Sequence, residues 1–313
     1  MVGRNAETGE GGLGSDPPRL AVVIPTRNRA DVIRRSVTSV LSDGSAELEV
    51  IVIDDGSTDR TGDLLSTIAD RRLRVHRLDS NGNANRARNT GAGLARSGLL
   101  AFLDSDDAFE PLRARRLIEF FAGRPDVDCL VDGFVEMSGR GRHVHVQPQI
   151  RPNAAQMRRL LLMHQIPLTN SAIAVRRAAF EAVGGFDEGM PRHQDRELLM
   201  RLAQGHTLWL GASTDVTKYR ARDSMSRNPH GYIAGMDALA ARCSDYNLPE
   251  NGDLFRYLIV RGIVKAISSG QWRAALSELR AWQAAQNLPK DYLRSFLAYG
   301  RGRSRRAGSE AWH

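Results

Sequence analysis

Three aspartates follow a short apolar run in the stretch LLAFLDSDDAFEP, residues 99–111. The run at residues 99–103 is typical of a buried strand, and Asp104, Asp106 and Asp107 come directly after it. Carboxylates this close repel one another unless a partner neutralises them, and a cation is the obvious partner. The alternative is an acidic turn that starts the next helix, because Asp favours turns and helix N-termini. The residues alone leave both interpretations open.

Polar clusters also follow two earlier apolar runs. The cluster PTRNR comes after LAVVI and the cluster DDGSTD comes after LEVIVI, and a helical pattern follows each of them. Strands that alternate with helices form βαβ units, so we predict an α/β fold with a mainly parallel, Rossmann-like sheet flanked by helices. Ligands bind at the carboxyl ends of the strands in such sheets. The three clusters therefore predict one ligand site at that edge.

The rest of the chain is less regular and ends in helices. The stretch VDCLVDGFVEM reads as one further strand, and the chain from about Tyr232 to Tyr299 has the pattern of amphipathic helices. We predict a flexible tail at residues 1–19, an α/β domain at 20–225, a helical extension at 226–300 and a basic tail at 301–313. The extension could dock onto the α/β domain, pair with a second copy in a homo-oligomer, or lie on an anionic membrane.

The composition is that of a basic globular protein. The 313 residues carry a net charge of +8, and the basic charge is almost entirely arginine, because lysine occurs only at Lys218, Lys265 and Lys290. Arginine suits bidentate recognition of phosphates and carboxylates, so an anionic ligand or an anionic lipid surface is compatible with this composition. A genomic bias toward arginine is the alternative. Nucleic acid is not expected as a partner, because basic and aromatic residues are not interleaved.

Cysteine use and hydropathy bear on the location of the protein. Cys129 and Cys243 stand far apart and outside any metal-ligand spacing, which indicates a reducing compartment. The N-terminal residues lack the apolar segment of a secretory signal, and no run approaches the ~18 apolar residues of a spanning helix. We therefore predict a cytoplasmic protein, with a peripheral membrane contact left open. A dinucleotide site is not expected, because the glycines of GAGLARSG do not have the required spacing.

Four motifs carry a resemblance to a known family. They are VVIPTRNR, VIVIDDGSTDRT, NANRARNTGAGLARSGLLAFLDSDD and GGFDEGMPRHQDRELLMRLAQ, and they span roughly residues 20–219. Their order and spacing resemble those of glycosyltransferase family 2, whose members have the GT-A fold. The resemblance implies a nucleotide-sugar donor, most often a UDP-sugar, and a divalent cation, Mn²⁺ or Mg²⁺. It also implies transfer of a hexose to a hydroxyl acceptor with inversion at the anomeric carbon.

The resemblance also implies roles for residues at matching positions. Asp106 matches the family's metal ligand, and Asp104 matches the carboxylate that meets the ribose or the metal. His230 is a further metal candidate, because a family member can recruit a late histidine. Asp107 could instead cap the following helix. The positions that match the family's donor nucleotide site are Pro25, Thr26, Arg29, Asp55, Arg88 and Asp104.

The general base is implied by the motif HQDRE. In the family this base is the Asp of a Glu-Asp pair that begins a helix, and here the pair reads Gln194-Asp195. A helix N-terminus favours the ionised carboxylate that can accept a proton from the acceptor hydroxyl. Asp195 is therefore the predicted catalytic residue, and the Gln at position 194 departs from the family pattern.

Two other functions compete with a glycosyltransferase. A nucleotidyltransferase can share such a sheet and a metal-binding aspartate, but it needs a Gly-rich loop with a lysine after the first strand, and PTRNRAD has neither feature. A non-catalytic nucleotide-binding protein would tolerate the loss of Asp106 and Asp195. The acceptor stays undefined by the sequence and could be a saccharide, a glycolipid or a small metabolite.

Overall fold

The structure, a computed structural model, describes residues 19–44, 47–79, 82–139, 141–219 and 230–307. The strands are β1 (Leu20–Thr26), β2 (Leu48–Asp54), β3 (Leu73–Arg77), β4 (Leu99–Phe102), β5 (Ala108–Phe109), β6 (Cys129–Asp132), β7 (Phe134–Ser138), β8 (Gly141–His145), β9 (Ile173–Arg176), β10 (Leu208–Gly211) and β11 (Val216–Tyr219). The helices are α1 (Ile33–Leu41), α2 (Thr61–Ser66), α3 (Ala84–Leu94), α4 (Arg113–Ala122), α5 (Ala154–Leu162), α6 (Arg177–Ala182), α7 (Gln194–Leu202), α8 (Tyr232–Arg242), α9 (Gly252–Ser268), α10 (Trp272–Ala284) and α11 (Tyr292–Ala307).

The larger sheet has the strand order β10-β6-β9-β4-β1-β2-β3. Neighbouring strands are parallel except at β9, which runs antiparallel to both β4 and β6. β1 lies between β2 and β4, and all of its residues are buried, as is typical of a parallel strand covered on both faces. The predicted α/β architecture with a mainly parallel sheet is therefore confirmed.

The stretch VDCLVDGFVEM forms two strands in different sheets. β6 belongs to the larger sheet, whereas β7 belongs to a smaller sheet with the order β5-β11-β7-β8. Gly133 lies between them, where a Cβ atom would come within 2.3 Å of the carbonyl oxygen of His145. Because the backbone changes sheets at this close approach, the prediction of one continuous strand is wrong.

Two apolar clusters cover the two faces of the larger sheet. Side chains alternate along β1, so Val23 joins one cluster and Val22 joins the other. The cluster of Val23 continues into the C-terminal helices, where it includes Leu258 of α9 and Trp282 of α10. The C-terminal helices therefore share a core with the α/β part of the chain.

Parts of the predicted domain organisation fall at or beyond the described residues. α11 continues through residue 307, into the segment predicted as a basic tail. Residues 308–313, residues 1–18 of the predicted N-terminal tail and the predicted boundary at residues 225–226 lie outside the described residues. Within the described part of the chain, no helix combines the length and the apolar character needed to cross a bilayer.

Candidate active site

A cleft of about 1060 Å³ opens at the carboxyl ends of β1, β2 and β4. It brings together residues that the sequence placed in separate polar clusters. The predicted site residues that line it are Pro25, Thr26, Arg29, Asp55, Arg88, Asp104, Asp106 and Asp195. His230 is exposed and is not among the residues that line the cleft; its carbonyl accepts a hydrogen bond from Arg192 at 2.9 Å.

Asp55 begins the loop after β2 and is held rigidly. Its backbone N–H donates to the carbonyl of Thr26 at 2.9 Å, and its Oδ1 accepts from the N–H of Gly82 at 2.9 Å. Among the described residues, none hydrogen-bonds the buried hydroxyl of Thr26. A buried hydroxyl without a partner is destabilising by itself, so this position suits a ligand with a polar group.

The loop after β1 is tied to the loop after β2. Asn28 adopts a left-handed conformation with φ of 50°, which Asn tolerates better than most residues. Its N–H donates to Ser57 Oγ at 2.9 Å, and its Oδ1 accepts from the N–H of Thr58 at 2.8 Å. The N–H of Arg29 donates to Thr61 Oγ1 at 2.9 Å. These bonds fix the backbone that presents Arg29 to the cleft.

Arg88 is a buried residue of α3 that orients Asp104. Its Nη2 donates to Asp104 Oδ1 at 2.7 Å, and its Nη1 donates to Asn85 Oδ1 at 3.1 Å. Burial alone would raise the pKa of Asp104, but the charges of Arg88 and Lys218 outweigh it and hold this pKa below its usual value. Asp104 is therefore ionised in the cleft. The predicted contact of Arg88 with the donor nucleotide stays a prediction.

Asp107 faces inward from the same loop. Its carboxylate accepts from the hydroxyl of Ser171 at 2.6 Å and from the N–H of Tyr219 at 3.2 Å. Burial, together with the charges of Asp104 and Asp106, raises the pKa of Asp107 to about 7. Asp107 therefore connects the acidic loop to the segment before β9 and to β11.

Asp106, like Asp104, is half-buried and lines the cleft. Burial and the charge of Asp104 raise the pKa of Asp106. The Arg35 side chain donates to the backbone carbonyl of Asp106 at 2.6 Å. Carboxylate oxygens are the ligands that Mg²⁺ and Mn²⁺ prefer. No group of three His, Cys, Asp or Glu side chains within the described residues could hold a metal alone. The carboxylates of this loop thus fit a cation whose other ligands include oxygens of a bound diphosphate.

Lys218 is a site residue that the sequence analysis did not single out. Its ammonium donates to Thr169 Oγ1 at 3.1 Å and lines the cleft. Burial would lower its pKa, but the carboxylates of Asp107, Asp104 and Asp106 raise it instead. Lys218 is thus a charged group beside the acidic loop. Its one sequence signal is that lysine is rare in this arginine-rich chain.

Asp195 lies in the first turn of α7, as predicted. Its Oδ1 accepts from the N–H of Arg196 at 2.8 Å, and its side chain lines the cleft. The preceding His193 has φ of 60°, so the chain turns sharply into the helix. The carboxylate is therefore presented at the positive end of the helix dipole.

The C-terminal helices also line the cleft, which sequence reasoning missed. The residues concerned include Tyr232 of α8 and Arg261 and Lys265 of α9. The phenol of Tyr232 donates to the carbonyl of Leu258 at 2.8 Å, which joins the two helices. The sequence predicted the helices of this segment, but it did not indicate the surface against which they pack.

A family comparison bears directly on this site. The model of a family described as glycosyl transferase family 2 matches residues 21–184. The chain belongs to glycosyltransferase family 2. The match covers the loops after β1, β2 and β4, so the resemblance inferred from the motifs is confirmed.

Several curated proteins show partial similarity to this chain. The chain is 43% identical over 102 residues to the succinoglycan biosynthesis protein ExoO of Rhizobium meliloti, a match that covers 33% of this chain and 29% of ExoO. It is 27% identical over 189 residues to an uncharacterized glycosyltransferase of Haemophilus influenzae, covering 59% of this chain and 62% of that protein. The chain therefore spans less than two thirds of the length of these relatives.

The fold of the family 2 chain resembles that of a solved structure over nearly its whole length. The crystal structure of S. aureus TarS 1–349 in complex with UDP-GlcNAc matches with a TM-score of 0.62 and 20% sequence identity, covering 94% of this chain and 93% of that one. The predicted GT-A fold and its helical C-terminal segment are confirmed by this match.

Proposed function

We propose that this chain is an inverting, metal-dependent glycosyltransferase that moves a hexose from a nucleotide-sugar donor to a hydroxyl acceptor. The observation that supports this proposal best is that one cleft collects Asp55, Asp104, Asp106 and Asp195. These are the positions that match the family's base-binding, metal-binding and catalytic carboxylates. A nucleotide-binding protein without activity would have no need of Asp195 beside the acidic loop.

The donor is most simply a UDP-sugar. A uracil imide N–H can donate to the Asp55 carboxylate, which is fixed by its backbone contacts with Thr26 and Gly82. The hydroxyl of Thr26, which no described residue hydrogen-bonds, and Arg29 line the same cleft. TarS, which has the same fold, was crystallised with UDP-GlcNAc, and this supports a uridine nucleotide here.

The diphosphate of the donor needs positive charge, because it carries about two to three negative charges. Asp106 would hold the Mn²⁺ or Mg²⁺ ion, with Asp104 as a second carboxylate oriented by Arg88. When bound, this cation would neutralise the charge that develops on the leaving diphosphate. Lys218 adds a permanent positive charge beside the same loop.

The reaction is a single displacement at the anomeric carbon. Asp195 accepts the proton of the acceptor hydroxyl as the hydroxyl oxygen forms a bond to that carbon. The bond from the carbon to the phosphate oxygen breaks at the same time, and the nucleoside diphosphate leaves from the opposite face. Attack from the side opposite the leaving group inverts the configuration.

We also propose that the protein works in the cytoplasm. Cys129 and Cys243 are both buried as free thiols, which is compatible with a reducing compartment. Peripheral membrane contact and a homo-oligomer stay open as predictions.

Calorimetric titration with UDP, GDP and dTDP, each with Mn²⁺ and then with a chelator, tests the donor site. We expect UDP to bind only with the metal and Asp106→Ala to remove that binding. Asp195→Asn should bind UDP normally but lose the Mn²⁺-dependent release of UDP from UDP-GlcNAc, with the exposed Asp63→Asn as the control. Normal turnover by Asp195→Asn would rule out its role as the base.

A further inference from the structure

Helix α9 presents one stripe of its surface to the cleft. Arg261, Lys265 and Ser269 recur every four residues and all line the cleft, as residues on one helical face must. The neighbouring Gly262 packs against the ring of Tyr232, where a Cβ atom would lie only 2.2 Å from a ring carbon. This close contact holds the stripe at the cleft wall.

Further positive charge comes from the segment before the catalytic helix. Arg192 lines the cleft, and Arg196 is buried one turn further along the chain. From α8 onward, the described residues that line the cleft include no carboxylate. The nearby Glu278 is buried, and its two oxygens accept the N–H groups of Gly231 and Ile233 at 2.7 Å each. The charge of Glu278 also acts on Arg192, so it offsets part of the positive charge on this side of the cleft.

The cations on this side are close enough to disfavour one another. Burial and then the charges of Arg196, Arg192 and Arg261 lower the pKa of His193 to about 3. Burial and the charge of Arg261 also lower the pKa of Arg196. Within the described residues, the buried Nε of Arg196 and Nε2 of His193 have no hydrogen-bond partner. Concentrated positive charge at the cleft wall is relieved by a bound anion.

We propose that Arg192, Arg261 and Lys265 bind a phosphate group of the acceptor, so that the enzyme glycosylates a phosphate-bearing acceptor. The inference rests on the proposed function. Guanidinium groups match the geometry of phosphate oxygens, and several cations together favour a phosphate over a single carboxylate. Asp195 lies within electrostatic range of both Lys218 and Arg196. An acceptor anchored here would share the cleft with Asp195, the proposed general base.

The probe for this site is glycerol 3-phosphate, added to the full chain with the donor site saturated by UDP and Mg²⁺. Ligand-observed NMR measures its affinity, and glycerol is the uncharged control. We expect Arg261→Gln to weaken binding by about tenfold, the usual effect of losing one charge-assisted hydrogen bond. Arg261→Lys should recover part of the affinity, because it keeps the charge.

Arg256→Gln is the matched control, because Arg256 lies on the same helix but pairs with Asp291 at 2.8 Å and does not line the cleft. Equal glycerol 3-phosphate affinity in the wild type and Arg261→Gln, or no binding to the wild type, overturns the inference. The UDP affinity of every variant is measured separately. If the wild type does not bind UDP, that result counts against the proposed function. The glycerol 3-phosphate titration can still be interpreted in that case.

The phosphate could belong to a water-soluble acceptor or to a lipid headgroup. Sedimentation with vesicles of phosphatidylcholine, with and without phosphatidic acid, distinguishes the two sources. Binding to the acidic vesicles that is lost in Arg261→Gln and displaced by glycerol 3-phosphate supports a lipid-borne phosphate. Binding of glycerol 3-phosphate alone supports a soluble acceptor.

Discussion

The hydroxyl of Ser171 donates a hydrogen bond of 2.6 Å to Asp107 and accepts one of 3.1 Å from the backbone N–H of Asp104. Ser171 lies just before β9, the strand that runs antiparallel to its neighbours, and it is fully buried. One hydroxyl thus fixes both ends of the acidic loop. The position of Asp106 between those ends follows from this clamp.

Ser171→Ala should loosen the acidic loop. The change leaves a buried carboxylate and a buried N–H each short of one partner, so we expect the free energy of unfolding to fall by about 1–3 kcal/mol. Metal-dependent UDP affinity should fall as well. Urea unfolding and calorimetry measure the two effects. Ser66→Ala removes an exposed hydroxyl that bonds only its own helix and should change stability by less than about 0.5 kcal/mol.

Asp107 predicts a specific pH dependence of stability in the metal-free protein. Its pKa is raised to about 7 in the folded state, whereas an unfolded chain ionises Asp near about 4. The folded state therefore binds more protons between these values, and its stability should fall as the pH rises from about 4 to about 7. Asp107→Asn should remove this part of the decline.

Thermal unfolding in the presence of a chelator, at a series of pH values, measures the difference between the two proteins. Asp63→Asn, on the exposed side of α2, should follow the wild-type curve. A constant difference between Asp107→Asn and the wild type over this pH range would contradict the raised pKa.

Gly91 sets the distance between α3 and β1. A Cβ atom at Gly91 would lie 2.4 Å from Cγ1 of Val23, so Gly91→Ala should cost about 1–3 kcal/mol of stability. It should also displace Arg88, one turn earlier on α3, and weaken donor binding. Gly93→Ala is the matched control because nothing lies within 4 Å of its Cβ position, and it should stabilise the helix by about 0.5–1 kcal/mol. Denaturant titration of both variants distinguishes the cost of the steric clash from the gain in helix propensity.

A buried ion network connects α4 to the end of β6 and to the residue before β11. Arg113 is fully buried and pairs with Asp132 at 3.1 Å and with Asp215. Arg113→Met removes one partner from both carboxylates, which keep Arg116, and should lower stability by about 1–3 kcal/mol. Arg115→Met breaks only the exposed pair with Glu119 on the same helix and should cost less than about 1 kcal/mol. Similar denaturation midpoints for the two variants would argue against a structural role for the network.

The strand-end part of the site was predictable from local sequence. Each polar cluster directly follows an apolar run. Because parallel strands bring their carboxyl ends to one edge of the sheet, Asp55 and Asp104 were expected at that edge. Asp195 was accessible through a motif at a helix start. In these cases a short segment contains both the candidate residue and the signal that positions it.

The remaining part of the site depends on packing that no short segment encodes. Lys218 reaches the acidic loop because β11 joins β5 and β7 in the smaller sheet. Arg261 reaches the cleft because α9 packs on α8 through Gly262 and Tyr232. The change of sheet at Gly133 likewise depends on the carbonyl of His145, which is distant in sequence.

The core shared by the sheet and the C-terminal helices has a consequence for how the protein comes apart. Leu258 and Trp282 lie in the same apolar cluster as Val23 and Phe102, so one continuous core joins the two regions. Heating should therefore melt sheet and helices together, with a single heat-absorption peak in calorimetry. A chain cut after β11 would leave one face of the sheet bare and should aggregate. The C-terminal helices cannot then be exchanged as an independent module.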